Sequence, residues 1–384
     1  MPENSLINKT HYKRLGDYIR EVDSRNRDLA VTLSQGICNA KYFQNPKQVA
    51  DRPETHKVVR TRQFAYNRAT TRNGEKISIA LRDGPDCTVS SAYQVFEVID
   101  EEKLLPEYLM MWFRRPEFDR LAIYHSHGSA HEFFEWEAMC DVRLPIPPIS
   151  RQREIVAEYE TLTSRIRLNE RLISSLESAA QTLYRRTFVD NIDPTRLPPG
   201  WRTGTLGEFC VKMTSGGTPS RSRGEYWNSP DYPWVKTGEV QNNVILETEE
   251  YISRTGLENS SAKLVPAGTV VMAMYGATAA QVGYLNFAAT TNQACCNMIC
   301  STKEESAFLF FHLRFHQDEI KRMAIGGAQE NLSQDLIAKL PIPLIEDRSV
   351  FTPFLTILNQ LILVYREIKT LKELQALDLM KLGE

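Results

Sequence analysis

The sequence predicts an α+β fold in which two mixed α/β domains alternate with two long coiled-coil helices that pair with each other, with a pseudo-two-fold internal repeat. Three observations predict it. Short motifs recur in the same order in both halves, each half ends in a long helical segment, and β-branched runs broken by Gly, Pro and Asn precede each helix. The predicted segments are a first domain at residues 1–149, a central helix at 150–190, a second domain at 191–345 and a C-terminal helix at 346–384.

The internal repeat is visible in pairs of motifs. Residues 15–18 (LGDY) resemble residues 206–209 (LGEF), and the LPIP at 144–147 recurs at 340–343. Between these pairs, strand-like segments, a helix-like segment and a turn of small residues follow one another in the same order. The preserved order predicts a duplicated unit.

The two helical segments carry a heptad pattern. Residues 151–188 contain no Gly or Pro, and their apolar positions alternate spacings of three and four, as in a coiled-coil seam. The first predicted seam consists of Ile155, Tyr159, Leu162, Ile166, Asn169, Ile173, Leu176 and Leu183. The second consists of Phe354, Leu358, Leu361, Tyr365 and Ile368. Two surface helices on separate domains are the alternative, but average helices have only about 11–12 residues, which favours helices that pair with each other.

Charge and cysteine usage narrow the classes of function. Lys and Arg total 46 against 48 Asp and Glu, which excludes a strongly basic nucleic-acid protein but not a local basic surface. The seven cysteines show no zinc-ribbon spacing, and the N-terminus lacks the apolar core of a signal peptide. We therefore expect a cytoplasmic protein with no bound metal and no membrane contact.

Motifs of common catalytic sites are missing, including phosphate loops, zinc-protease helices and nucleophile elbows. One alternative is a Mg²⁺-dependent nuclease of the PD-ExK type, because Asp86, Glu101 and Lys103 satisfy its loose spacing. A solvated turn is the ordinary interpretation of these charges.

The remaining polar groups are of the types that read DNA. Residues 214–223 combine hydroxyls, glycines and two arginines, which suit phosphate oxygens and guanine, while nearby amides suit adenine. A solvated loop is the alternative. In the second half the candidate DNA-binding residues are Thr218, Pro219, Ser220, Arg221, Arg223, Lys236, Tyr275, Gly276, Thr278, Asn292, Gln293, Gln329 and Asn331. In the first half they are Ser34, Gln35, Lys41, Arg62, Asn67, Arg68, Ser90, Ser91, Tyr93, His127, Ser129 and His131.

Over residues 10–384 the chain resembles the specificity (S) subunits of Type I restriction–modification systems. In the second half the resemblance is carried by LGE at 206–208, GTPS at 217–220, EYW at 225–227, PWV at 233–235, TNQ at 291–293, GGAQENL at 326–332 and LPIP at 340–343. In the first half it is carried by VSSAYQVF at 89–96 and LPIPP at 144–148. The first half departs from the pattern, since SQG at 34–36 replaces the Gly-Thr-Pro turn.

The resemblance implies two mixed α/β target-recognition domains separated by two long antiparallel coiled-coil helices. These domains are expected to read a bipartite DNA sequence, two half-sites with an unread gap. The resemblance also implies a non-catalytic chain without a cofactor of its own. S-adenosylmethionine would belong to two modification (methyltransferase) subunits docked on the helices, and Mg and ATP to restriction (motor–nuclease) subunits. A scaffold without DNA contact remains the other alternative. Because the chain is nearly neutral, we expect tight binding to double-stranded DNA to need basic partner subunits.

Overall fold

The computed structural model describes residues 12–46, 52–69, 76–126, 133–190, 192–193, 195–325 and 331–383. The chain divides into two compact units. Unit 1 consists of Met1–Arg165 with Leu371–Glu384, and unit 2 of Ile166–Thr370. Each unit therefore contains part of both long helical segments.

Unit 1 combines short strands with short helices. Its strands are β1 (Tyr12–Arg14), β2 (Ile19–Glu21), β3 (Gly36–Ile37), β4 (Phe43–Gln44), β5 (Lys57–Val59), β6 (Phe64–Asn67), β7 (Ile79–Leu81), β8 (Cys87–Val89), β9 (Tyr93–Val98) and β10 (Arg143–Pro145). Its helices are α1 (Pro106–Arg114), α2 (Pro116–Ser126), α3 (Trp136–Cys140) and the first part of α4 (Ile149–Phe188). The antiparallel sheet β2-β9-β6-β7 buries Phe64 and Phe96, which stack with ring centroids 4.8 Å apart, in one core with Phe113 of α1.

Unit 2 follows the same plan with more strands. Its strands are β11 (Trp201–Thr205), β12 (Lys212–Ser215), β13 (Tyr232–Val235), β14 (Asn243–Ile245), β15 (Glu250–Ile252), β16 (Val270–Ala273), β17 (Val282–Leu285), β18 (Thr290–Thr291), β19 (Cys295–Ile299) and β20 (Pro341–Ile345). Its helices are α5 (Leu206–Phe209), α6 (Arg254–Glu258), α7 (Lys303–Phe315), α8 (Gln317–Ile325), α9 (Gln334–Ala338) and most of α10 (Thr352–Lys381). A five-stranded sheet, β12-β19-β16-β17-β14, packs on α7, and a second sheet has the order β15-β13-β18.

The strand orders confirm the predicted repeat. The order β2-β9-β6-β7 of unit 1 recurs as β12-β19-β16-β17 in unit 2, and the antiparallel pair β1–β10 recurs as β11–β20. The hydrogen bond from the Leu15 amide to the Val142 carbonyl (2.8 Å) has its counterpart from Leu206 to Leu340 (3.0 Å).

The two LPIP motifs are two residues out of step within this repeat. The paired hydrogen bonds match Val142 with Leu340, so Leu144 corresponds to Ile342 rather than to Leu340. Because successive strand side chains point to opposite faces, a shift of two keeps the same face inward. Leu144 and Ile342 are accordingly both buried.

Within each unit the long helices pair in antiparallel fashion, as predicted. In unit 1 the start of α4 meets the end of α10, where Gln375 Nε2 donates to Thr163 Oγ1 (2.8 Å). In unit 2 the end of α4 meets the start of α10, where the rings of Phe188 and Phe354 lie 6.0 Å apart.

The predicted seam residues are all buried or half-buried. Asn169 is 4% exposed, and its Nδ2 has no hydrogen-bond partner among the described residues. An unpaired buried amide is the stability cost expected of a polar seam position. The stretch Arg348–Lys381 is long and apolar enough to cross a membrane by length and composition. Its residues Phe354, Leu358 and Leu361 are buried in the core of unit 2.

Candidate nucleic-acid interface

Several predicted residues of the second half meet at one edge of the unit 2 sheet, where β12 and β16 end and β19 begins. The amide of Gly217 donates to the carbonyl of Thr291 (2.8 Å), and the amide of Asn292 donates to the carbonyl of Val235 (3.0 Å). The turn after β12 thereby meets the ends of β13 and β18. We call this the unit 2 edge.

Two glycines permit this close approach. A Cβ atom on Gly216 would lie 2.2 Å from the carbonyl oxygen of Thr291, and one on Gly217 would lie 2.4 Å from the amide nitrogen of Ala262. Any side chain here would therefore push the turn away from the edge. Beneath it, Asn297 Nδ2 donates to Thr291 Oγ1 (2.8 Å), and both side chains are fully buried.

The hydroxyl and amide candidates surround this turn. Thr218 donates to the side-chain oxygen of Gln293 at an exposed position, whereas Pro219 is buried. Asn292 accepts through Oδ1 from the amide of Ala294 (3.2 Å), and Ser220 shares a hydrogen bond with Ser222 (2.8 Å). The Thr218–Gln293 and Ser220–Ser222 pairs are therefore both exposed, while Asn292 shapes its own turn.

A second loop borders the same edge. The amide of Met274 donates to the carbonyl of Ala294 (2.8 Å), and the amide of Leu332 donates to the carbonyl of Met274 (3.0 Å). These hydrogen bonds place two candidates at the edge: Tyr275, which follows Met274, and Asn331, which precedes Leu332. Tyr275 is 42% exposed, Gly276 has a φ of +70°, and Thr278 bonds back to the Tyr275 carbonyl (3.4 Å).

Two charged candidates of unit 2, Arg221 and Lys236, belong to a cluster that the sequence did not reveal. The guanidinium of Arg221 lies 3.6 Å from the ring centroid of Trp227 and 4.9 Å from that of Trp234. Arg221 Nη1 also pairs with Glu250, which in turn pairs with Lys236 Nζ (3.0 Å). The hydrogen bond from Arg221 lowers the pKa of Glu250, and the bond to Glu250 raises the pKa of Lys236. Sequence reasoning missed Trp227, Trp234 and Glu250 as site residues, although the EYW and PWV motifs had singled out both tryptophans.

Arg223 lies outside this cluster. It pairs with Glu225 (3.4 Å) and lies 5.7 Å from the ring of Tyr226. Its side chain is 62% exposed.

Several first-half candidates also meet in unit 1. The amide of Gln35 donates to the carbonyl of Thr88 (2.8 Å), and the hydroxyl of Tyr93 accepts from the amide of Ile37 (3.3 Å). Tyr93 pairs with Asn67 in the ladder between β6 and β9. Ser34 bridges to Thr88, while Ser90 caps its own turn by accepting from Ala92 (3.3 Å) and Ser91 is exposed.

Arg62 and Arg68 flank β6 at its opposite ends. Arg62 precedes the start of this strand, so it is at the opposite end from Asn67. Two carboxylates, Glu101 and Glu107, bind its guanidinium at 2.7 Å each and raise its pKa. Arg68, which follows the strand, pairs with Glu135 (3.3 Å).

The assignment of Lys41 to DNA binding is wrong. Its side chain is 5% exposed, and Nζ pairs with Asp119 (2.8 Å) while donating to the carbonyl of Phe113. Burial lowers the pKa of this lysine, although Asp119 opposes the shift. A cation held in this way is not available to a phosphate. Gln329, His127, Ser129 and His131 lie outside the described residues.

Replacing Lys41 by Met is expected to destabilise unit 1 by about 3–5 kcal/mol, because it leaves the carboxylate of Asp119 buried without its cation. Chemical denaturation followed by circular dichroism measures the change. Lys103→Met is the matched control, since the Lys103–Asp100 pair is 70% and 42% exposed. The control should cost no more than about 1 kcal/mol. Equal losses in the two variants would contradict the structural role of Lys41.

The residues of the nuclease alternative each have a separate partner. Asp86 accepts from the Thr61 amide (3.2 Å), Glu101 binds Arg62, and Lys103 pairs with Asp100 (3.1 Å). Among the described residues, no group of three or more His, Cys, Asp or Glu side chains is placed to hold a metal ion.

Comparison with known proteins finds similarity to DNA specificity subunits. Residues 198–348 match the family model of the Type I restriction modification DNA specificity domain. The specificity subunit of the Type I restriction enzyme HindI of Haemophilus influenzae is 22% identical, over 85% of this chain and 88% of that protein. The specificity subunit of EcoR124I/EcoR124II of Escherichia coli is 26% identical, over 67% of this chain and 64% of that protein.

A solved structure supports the fold. The S subunit of a Type I restriction–modification system from M. genitalium matches with a TM-score of 0.60 over 97% of this chain and 96% of that chain, at 13% identity. Residues 198–348 are therefore similar to the Type I restriction modification DNA specificity domain, and over most of its length the chain is similar to the specificity subunit of the Type I restriction enzyme HindI.

Proposed function

We propose that this chain reads a bipartite DNA target, with one half-site read by each unit and an unread gap between them. The observation that carries the proposal is that one sheet order is repeated in two units, in a chain whose residues 198–348 match a DNA specificity domain. Two copies of one recognition fold suit two short sequences better than a single continuous one.

The chemistry of the unit 2 edge supports DNA reading. Exposed hydroxyl and amide groups, such as those of Thr218 and Gln293, can bond to base edges, and Arg221 and Lys236 supply positive charge. Glu250 offsets part of that charge, which agrees with a chain that needs basic partners for tight binding.

The partner subunits would meet the outward faces of the long helices. The seam residues predicted to bind partners are instead occupied by packing within the chain. Apolar side chains that remain exposed on these helices are Leu168, Leu172, Leu363, Leu374, Leu377 and Met380. Exposed apolar residues at helical spacing are suited to binding a partner helix. We propose that modification subunits dock here and recruit restriction subunits.

In this proposal the chain is not a catalyst. Methyl transfer from S-adenosylmethionine belongs to the modification subunits, and the Mg²⁺ and ATP chemistry belongs to the restriction subunits. The assembled complex would act in the cytoplasm.

Single-molecule mapping of methylated adenines tests the proposal in cells that carry this chain with its partner subunits. We expect one motif made of two short specified sequences with a fixed gap, and we expect it to disappear when the gene for this chain is deleted. A continuous motif, or methylation that survives the deletion, would contradict the proposal.

A further inference from the structure

We infer that Arg221 reads a guanine in the half-site of unit 2, with Glu250 as the residue that positions it. The inference rests on the proposed function and deepens it, because it names one base that unit 2 recognises. It is carried by the stacking, the ion pairing and the exposure of a single side chain.

The plane of the Arg221 guanidinium is fixed before DNA arrives. Trp227 lies under it at 3.6 Å, and the indole of Trp234 stands at 90° to that of Trp227 with ring centroids 5.0 Å apart. Each indole is anchored by its own Nε1, which donates to the carbonyl of Ser220 (3.2 Å) or of Gly217 (2.9 Å). The platform under the arginine is therefore tied to the turn of the unit 2 edge.

Glu250 fixes the rotation of the guanidinium within that plane. Of the three guanidinium nitrogens of Arg221, Nη1 is the one that donates to Glu250. Among the residues that the structure describes, Nε and Nη2 have no hydrogen-bond partner, and the side chain is 52% exposed. A fork of N–H donors is therefore presented to solvent in a defined orientation.

This arrangement fits a base better than a phosphate. Guanine O6 and N7 lie in one plane and accept two parallel hydrogen bonds, which a planar guanidinium can supply. A phosphate can be approached from many directions and needs no fixed plane. A carboxylate next to the arginine also disfavours a second anion, whereas it leaves a neutral base edge free to bind. Among the described residues, no aromatic ring stacks on the neighbouring Lys236.

Arg221→Lys and Arg221→Ala test the inference in the whole complex, with adenine-methylation mapping as the readout. Lysine keeps the charge but loses the planar fork. We expect Arg221→Lys to relax one guanine position about 5- to 150-fold, the range for loss of one bidentate base contact. The other positions of that half-site and the whole of the second half-site should be unchanged. A motif that keeps every guanine in Arg221→Lys overturns the inference.

Two further variants separate positioning from folding. Glu250→Ala should relax the same guanine as Arg221→Lys, whereas Glu250→Gln, which keeps an acceptor oxygen, should restore most of the preference. Relaxation of a different base in Glu250→Ala would overturn the positioning role. Arg254→Ala is the control, because the side chain of this arginine is 77% exposed and pairs with Glu258 on its own helix. It should leave the motif unchanged.

The same experiment distinguishes the two levels of the proposal. If the unaltered chain yields no bipartite motif, the proposed function fails. If the motif is bipartite and Arg221→Lys leaves it intact, only the guanine assignment fails. Should Arg221→Ala abolish methylation altogether, Arg221→Lys still decides the assignment, since it preserves the charge and the length of the side chain.

Discussion

Exchanging residues 195–345 for the same segment of a related specificity subunit is expected to replace one half-site of the DNA target and leave the other half-site intact. The segment contains the whole unit 2 edge, from the turn after β12 to Asn331, with Arg221 and its tryptophan platform. It also contains the core on which that edge is built, including Phe308 and Phe310 of α7. The recognition loops therefore move together with their own support.

Mapping of methylated adenines measures the outcome of this exchange. The reciprocal exchange of residues 1–149 is the control, and it should replace the other half-site only. If neither exchange alters the motif, the chain acts as a scaffold without a reading role. If either exchange alters both half-sites, the two units do not read independently.

The helices could be predicted because the spacing of apolar residues is a local pattern. The repeat could be predicted because its motifs follow one another in the same order along the sequence. A spacing of three and four in the apolar positions of 151–188 is sufficient to place a seam, and the structure buries or half-buries each predicted member. The strand partners were not predictable in this way. Whether β14 lies beside β17, in parallel, depends on packing between residues distant in sequence.

The candidate site was predictable where backbone chemistry dictates it. Gly216 and Gly217 fit positions of close backbone approach, since the structure places the end of β18 against Gly216 and the Ser261–Ala262 backbone against Gly217. The roles of single charges were not predictable. Lys41 and Arg62 have the positive charge that binds phosphate, but each is paired with an acidic residue far away in the sequence. Asp119, the partner of Lys41, is 78 residues away. Glu101 and Glu107, the partners of Arg62, are 39 and 45 residues away. The residues next to Lys41 and Arg62 in the sequence do not predict these ion pairs.

Deleting residues 170–173 from α4 is expected to shorten the gap between the half-sites while both half-sites keep their sequences. Four residues remove about 6 Å of helix, or roughly one to two base pairs at about 3.4 Å each. They correspond to about 400° of helical rotation, which turns the remainder of the helix by only about 40°. The residues that pack in unit 2, such as Tyr184 and Phe188, thus keep approximately the same facing.

A two-residue deletion at 172–173 is the informative contrast, because it removes half of that length but rotates the helix by about 200°. The seam residues on one side of the deletion would then face solvent, and apolar burial in the helix pair would be lost. We expect this variant to lose methylation, whereas the four-residue deletion keeps it at a shorter gap. If the four-residue variant instead methylated sites with the original gap, or with altered half-sites, the length of α4 would not set the gap. If both variants behaved alike, shortening rather than rotation would be the only effect, and the seam would not be needed to hold the helix in place.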